Sequence, residues 1–126
     1  MQDATGIAEP DYGVIFADQA YRSGETVEHA QWSKVRVEVE LAVVLRSSLA
    51  GRGHDGTGLT IDEVLDAIEV VVPALEILDS HIELASRTIV DTISDNAALG
   101  AVVVGDVEIA PRDRDPAWVG AQCCSR

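Results

Sequence analysis

Two glutamates in an alternating apolar stretch are the first residues of this sequence that could do chemistry. Glu38 and Glu40 are separated by one residue, Val39, and Val37 precedes them. In a β-strand, residues at i and i+2 lie on the same face, about 6.6 Å apart along the backbone. Two carboxylates that close repel each other unless a proton or a cation lies between them. The pair predicts either a site for a hard cation such as Mg²⁺, which prefers oxygen ligands, or the solvated face of a half-buried strand.

A third glutamate, Glu76, is the one charged residue within the apolar stretch 70–78. Burying an unpaired carboxylate is costly, so we expect Glu76 either at a solvated edge or beside a cation. If the two strands are neighbours, Glu38, Glu40 and Glu76 together form an oxygen site suited to Mg²⁺ or Mn²⁺. The residues alone leave the cation site and the solvated edge as open alternatives.

Further polar candidates lie in segments that are typical of turns. Asp11 follows a proline, and Asp91, Asp95 and Asn96 lie close together near the third apolar stretch. Asp and Asn side chains in such segments commonly bind nearby backbone groups as caps or turns. These four residues are therefore candidates for catalysis, with local capping as the alternative.

The segment that carries Glu38 and Glu40 is predicted to be a strand. Valines alternate with polar residues from Val35 onward, which is the period of a half-buried strand over 35–45. Its last part, 43–45, is apolar on both faces, so we expect it to be buried. The following segment, 46–59, is rich in glycine and predicts a loop.

A helix is predicted to begin after Thr60, because Thr60 and Glu63 have the spacing of a capping box. The β-branched run 70–78 then predicts a second strand with a kink or bulge at Pro73, and 101–104 predicts a third. Strand, helix and strand in succession favour a crossover unit with parallel pairing. The predicted fold class is α+β, mainly β, with one or two helices.

Composition excludes several classes of function. The chain has 126 residues, a formal net charge of −13 and 47% hydrophobic residues, which favours one folded domain rather than an acidic disordered segment. A strongly acidic chain without a basic patch argues against nucleic acid, and no apolar run is long enough to span a membrane. No signal peptide is visible, and the adjacent Cys123 and Cys124 predict no disulfide framework. We therefore expect a cytoplasmic protein.

Four motifs, in this order and at these separations, resemble a known family. They are residues 10–13 (PDYG), 38–42 (EVELA), 73–76 (PALE) and 91–97 (DTISDNA). Together they resemble the 2-keto-4-pentenoate hydratase and 4-oxalocrotonate decarboxylase branch of the fumarylacetoacetate hydrolase superfamily, which acts in meta-cleavage degradation of aromatic compounds. The resemblance implies a distorted, rolled mixed sheet and a homo-oligomer.

The resemblance also implies roles for residues. The metal ligands would be Glu38, Glu40 and Glu76, holding Mg²⁺ or Mn²⁺, and Asp11 would line the active site, with Asp91 and Asn96 near it. The substrate would be a small 2-oxo acid. The cation would act as a Lewis acid towards its oxygens while acid and base groups move protons and water adds to the conjugated chain.

This sequence departs from the family pattern at both ends. Family members are about twice as long, and the segments that carry an active-site lysine and a glycine-rich loop have no counterpart here. We expect residues 1–109 to be part of a hydratase-like domain and 110–126 to be an irregular tail, of the kind that a frameshift produces. The functional alternatives are a hydratase, a decarboxylase of the 4-oxalocrotonate type, an inactive fragment, and an acidic binding module that keeps a cation for structure.

Overall fold

The computed structural model describes residues 7–49, 58–83, 85–115 and 119–122. The expected glycine-rich loop lies partly, and the two cysteines lie wholly, outside the described residues. The chain divides into two compact units. One comprises Met1–Glu40 with Ala74–Val104, and the other Leu41–Pro73 with Gly105–Arg126.

The described residues form a mixed four-stranded sheet with the order β1-β4-β3-β2. Its strands are β1 (Ala20–Arg22), β2 (Arg36–Leu45), β3 (Ile68–Leu78) and β4 (Leu99–Val104). Two short α-helices accompany them, α1 (Ile61–Ala67) and α2 (Ile89–Ser94), together with 3-10 turns at Ala17–Gln19, His29–Gln31 and Asn96–Ala98. The predicted class, mainly β with one or two helices, is confirmed at this level.

Strand directions correct one expectation. Strand β4 pairs in parallel with β1 and antiparallel with β3. Strands β2 and β3 are neighbours, but the residues just before β2, Ser33 and Lys34, bind Asp79 just after β3. Neighbouring strands whose opposite ends meet run antiparallel, so the expected parallel crossover between β2 and β3 is wrong. In the pairing of β3 with β4, which the structure describes from Ala74 to Leu78, the register shifts between Ile77 and Leu78.

The unit that contains β4 is built around small residues. Ala74, Ala98 and Ala101 are buried, and Thr92 is buried with its hydroxyl bound to the carbonyl of Thr88. Small side chains let the elements approach closely, as protein interiors are packed without voids. The same close approach occurs at β4 itself, where a Cβ on Gly100 would lie 2.6 Å from Cζ3 of Trp32. Glycine at this position therefore lets the indole pack directly on the strand.

The other unit contains α1, and its predicted start is confirmed. Thr60 is the N-cap: its hydroxyl accepts from the backbone of Glu63, and the Glu63 carboxylate accepts from the backbone of Thr60. Beyond the helix, Ile109 bridges to Val71. Arg112 donates to the carboxylates of two aspartates of α1.

The expected burial of the end of β2 is wrong. Val43, Val44 and Leu45 are 49%, 43% and 46% exposed. In the sheet that the described residues form, β2 is the last strand, so it has a neighbouring strand on one side only.

Among the residues that the structure describes, no helix has the length and apolar character needed to cross a membrane.

Candidate metal centre

The three glutamates that the sequence nominated lie on neighbouring strands. Glu38 and Glu40 are on β2 and Glu76 is on β3. Successive side chains of a strand alternate between faces, so the glutamates of β2 share one face. Val37 and Val39, which are 57% and 53% exposed, share the other. The alternating sequence of β2 thus places the carboxylates of Glu38 and Glu40 on the same side of the sheet as Glu76 of β3.

The carboxylates of these glutamates converge. Glu38, Glu40 and Glu76 each offer one oxygen, and these oxygens lie within 4.8 Å of one another. Octahedral Mg²⁺ with ligands at about 2.1 Å places neighbouring ligands about 3 Å apart. The observed spacing therefore needs only a small inward rotation of flexible side chains to fit a cation. Glu38 and Glu76 are partly buried and Glu40 is exposed, so solvent reaches one side of the group.

The carboxylates of Glu38, Glu40 and Glu76 lie close enough together to repel one another. Burial is the largest cause that raises the pKa of Glu76, followed by the charges of Glu38, Glu40 and Asp11. Each of these causes disfavours a third negative charge at the same place. A proton or a cation relieves this repulsion, and the donor set, three carboxylate oxygens, is the kind that a hard divalent cation prefers.

A buried aspartate ties together the strands that carry the glutamates. Asp79, which is 4% exposed, accepts from the Ser33 backbone at 3.0 Å, the Ser33 hydroxyl at 2.8 Å and the Lys34 backbone at 2.8 Å. The Lys34 and Ser33 hydrogen bonds hold the pKa of Asp79 below its ordinary value. Sequence reasoning missed this residue, although its place directly after the apolar strand was a usable signal.

Asp11 is close enough for its charge to raise the pKa of Glu76, after burial and the charges of Glu38 and Glu40. The segment that follows it is attached to Asn96. The Asn96 side chain accepts from the Val14 backbone N–H at 2.7 Å and donates to the Val14 carbonyl at 2.9 Å. Of the polar candidates outside the glutamate group, Asn96 therefore contacts the segment of Asp11 through its amide.

The two aspartates of the fourth motif, residues 91–97, make local hydrogen bonds. Asp91 accepts from the Thr88 hydroxyl at 2.7 Å and the Thr88 backbone at 2.8 Å, which completes the N-terminal cap of α2. The Thr88 hydroxyl and backbone bonds lower the pKa of Asp91. Asp95 accepts from Ser80 and from the backbone and ring of His81. Neither belongs to the group of acids within ligand distance among the described residues.

Comparison with known proteins shows which enzymes this chain resembles. The 2-keto-4-pentenoate hydratase of Paraburkholderia xenovorans (strain LB400) is 40% identical over 126 residues, which is 100% of this chain and 45% of that protein. The chain is related to the 2-keto-4-pentenoate hydratases. The resemblance read from the four motifs is thereby confirmed. The chain spans about half the length of the hydratases it matches.

A second hydratase and a solved structure agree with this relationship. The 2-oxo-hept-4-ene-1,7-dioate hydratase of Escherichia coli is 35% identical over 127 residues, 96% of this chain and 46% of that protein. The structure of 4-oxalocrotonate decarboxylase from Pseudomonas putida G7, complexed with magnesium and adipate, has a TM-score of 0.76 at 24% identity. The matched region covers 90% of this chain and 41% of the decarboxylase chain. At 24% identity, the match establishes similarity of fold. No protein-family model matches the sequence.

Proposed function

We propose that this chain carries the cation-binding part of a hydratase that adds water to a 2-hydroxy-2,4-dienoate, the enol form of a 2-oxo acid. The observation that carries the proposal is the convergence of Glu38, Glu40 and Glu76 within 4.8 Å. The names of the hydratase relatives support the reaction. The decarboxylase structure complexed with magnesium supports Mg²⁺ as the cation, with Mn²⁺ as its nearest chemical equivalent.

The roles of the residues follow from their charge and position. Glu38, Glu40 and Glu76 would hold Mg²⁺ or Mn²⁺ through one oxygen each. A cation held there would supply Lewis acidity towards the carboxylate and keto oxygens of the substrate. Asp11, whose charge acts on Glu76, would be the acid or base group that moves a proton as the dienol double bonds shift.

The remaining candidates support the site rather than react. Asp91 caps α2 and Asn96 binds the Val14 backbone, so we assign both to holding structure near the site. The finer fold, a rolled sheet of the fumarylacetoacetate hydrolase type, belongs to the same proposal and is supported by the decarboxylase likeness. A small-molecule partner, which the hydratase names favour, belongs to the same proposal. A homo-oligomer and a cytoplasmic location remain part of the proposal as expectations from the sequence.

Cation binding and turnover test the proposal separately. Mg²⁺ and Mn²⁺ are titrated into the 126-residue chain by calorimetry, and loss of 2-hydroxypenta-2,4-dienoate absorbance is followed with and without a chelator. We expect saturable cation binding by the 126-residue chain with little or no turnover, because the chain carries only part of the enzyme. A full-length version rebuilt from a close relative should hydrate the dienoate, and the chelator should abolish that hydration. The acidic binding module predicts cation binding without turnover by either protein. Absence of cation binding, or hydration that persists with chelator, would contradict the proposed centre.

The second candidate function is decarboxylation of a 4-oxalocrotonate-type substrate, which the decarboxylase fold likeness favours. Both reactions draw electrons towards the same 2-oxo group, so the glutamates cannot separate them. Carbon dioxide release from 4-oxalocrotonate, measured beside hydration of the dienoate, separates them directly. Hydration without carbon dioxide release supports the hydratase, and the reverse supports the decarboxylase.

A further inference from the structure

We propose that Asn96 is a positioning residue that fixes residues 10–13, and with them Asp11, beside the glutamate group. Its meaning for catalysis rests on the proposed function, but the positioning itself concerns only this chain's own residues. Three independent features of the structure support it: the hydrogen bonds of the Asn96 amide, the backbone that presents the amide, and the glycine that receives it.

The amide of Asn96 makes a closed pair of hydrogen bonds with one residue. Its Oδ1 accepts from the Val14 N–H at 2.7 Å, and its Nδ2 donates to the Val14 carbonyl at 2.9 Å, across 82 residues of sequence. This reproduces the two-bond exchange of an antiparallel β-pair with a side chain in place of a strand. Because one bond needs an acceptor and the other a donor, the orientation of the amide is fixed.

The backbone that presents the amide is unusual. Asn96, Ala97 and Ala98 have φ values of 50°, 58° and 62°, in the left-handed region that residues other than glycine seldom occupy in succession. The turn is attached at its end, where the Ala98 N–H donates to the Asp95 carbonyl at 2.8 Å and the Ala98 carbonyl accepts from the Asp79 N–H at 2.9 Å. These attachments hold the turn in a conformation that aims the Asn96 side chain at Val14.

The partner segment is shaped to receive the amide. A Cβ on Gly13 would lie 2.7 Å from Oδ1 of Asn96 and 3.1 Å from its carbonyl oxygen, so a side chain there would force the two segments apart. Packing does not hold the segment in place, because Tyr12 is 71% and Val14 58% exposed. The polar attachment to Asn96 therefore dominates the placement of Gly13 and Val14.

The attachment has a consequence for Asp11, which precedes Gly13 by two residues. Asp11 is partly buried and lies near enough to Glu76 for its charge to act there. Releasing Val14 would free the short exposed connection to Asp11 and let the two negative groups move apart.

Hydrogen exchange in the cation-free 126-residue chain tests the attachment. Asn96→Gly keeps the left-handed backbone without strain and removes the amide. We expect the Val14 N–H to exchange roughly 10- to 100-fold faster, since two hydrogen bonds are lost, while amides of β4 keep their protection. Gln19→Ala is the matched control: it removes another amide, which binds Phe16 and Gly100, and should leave Val14 protected. Unchanged exchange of Val14 in Asn96→Gly would overturn the proposal.

A conservative variant keeps the test decisive if Asn96→Gly folds poorly. Asn96→Asp tolerates the same φ and keeps the acceptor for the Val14 N–H, but it replaces the donor with an oxygen that faces the Val14 carbonyl. We expect exchange of Val14 between that of the wild type and that of Asn96→Gly. Wild-type protection of Val14 in Asn96→Asp would contradict the two-point attachment.

Paramagnetic broadening by Mn²⁺ then reports where Asp11 lies. In the wild type, Mn²⁺ should broaden the amide signals of Asp11, Tyr12 and Gly13, and in Asn96→Gly at saturating Mn²⁺ this broadening should weaken. Full broadening in Asn96→Gly would refute the positioning of Asp11. If neither protein binds Mn²⁺, the cation centre is wrong, and the exchange of Val14 still decides the role of Asn96.

Discussion

The carboxylate of Asp79 binds Ser33, 46 residues earlier in the chain, through the backbone and the hydroxyl of the serine at once. Ser33 precedes β2 and Asp79 follows β3, so this contact aligns the strands that carry Glu38 and Glu76. A carboxylate that accepts several donors is a strong acceptor because its charge assists each bond. The alignment of the glutamate group thus depends on a fourth acid outside it.

Asp79→Asn should lower the thermal stability of the chain and weaken cation binding, because the amide accepts more weakly and turns an N–H₂ towards the Ser33 and Lys34 donors. Asp106→Asn is the control, since Asp106 is exposed. Thermal melts and Mn²⁺ titrations compare the variants. Equal melting temperatures and affinities for Asp79→Asn and the wild type would contradict the alignment.

Stability should also depend on pH through Asp79. Its pKa is lower in the folded chain than in the unfolded one, where an aspartate has a pKa of about 3.9. Its contribution is therefore fully present above that unfolded value and is lost as pH falls through the lower folded value. Denaturant unfolding across this acidic range should show the loss in the wild type and a smaller loss in Asp79→Asn. Parallel curves for the two proteins would argue against the linkage.

Glu40→Gln should weaken Mg²⁺ and Mn²⁺ binding by at least roughly tenfold, since a neutral amide binds a hard cation less well and offsets less of its charge. The near-equal size of the two side chains leaves packing intact. Glu69→Gln, an exposed glutamate of β3 outside the group, is the matched control. Calorimetric titration of all three proteins checks this, and equal losses in both variants would point to general charge rather than to a site.

Gly100→Ala should destabilise the chain by about 1–3 kcal/mol, the usual cost of overpacking. Its Cβ would lie 2.6 Å from the Trp32 ring and 3.1 Å from the Ile77 carbonyl oxygen. Gly58→Ala is the control, because a Cβ there meets nothing within 4 Å. Denaturant unfolding measures both, and a Gly100→Ala chain as stable as Gly58→Ala would contradict the close packing of Trp32.

Strand β2 should promote self-association. It is an edge strand of the described sheet, and Val37 and Val39 are 57% and 53% exposed on one face. Exposed apolar edges pair readily with other chains. We expect association that increases with concentration in light scattering, and less of it in a Val37→Thr, Val39→Thr double variant. A chain that is monomeric at all concentrations would contradict this expectation.

Local patterns in the sequence predicted the elements that carry the acids. The alternation around Glu38 located β2, and the spacing of Thr60 and Glu63 located the start of α1, because both signals lie within a few residues. Strand β1 was missed because it has three residues and a partner far along the chain. The parallel crossover was wrong because strand direction depends on such distant pairing.

The site was only partly predictable for the same reason. The residue types of Glu38, Glu40 and Glu76 indicated shared chemistry, but the contacts of Asp79 and Asn96 join segments tens of residues apart. Local sequence gives no sign that Ala97 and Ala98 adopt positive φ, since alanine favours the right-handed region. The burial of residues 43–45 at the end of β2 was overestimated, because apolar side chains on an edge strand can remain exposed to solvent.

In the left-handed turn at residues 96–98, the usual effects of alanine and glycine on stability are reversed. Alanine normally stabilises a chain relative to glycine, because it restricts the unfolded state at no cost to the folded one. At Ala97, with φ of 58° and ψ of 22°, the methyl group is instead a steric burden in the folded state. Protein engineers who replace glycines with alanines to gain thermostability should do the opposite here, since glycine at position 97 would relax the turn while leaving the Asn96 amide in place.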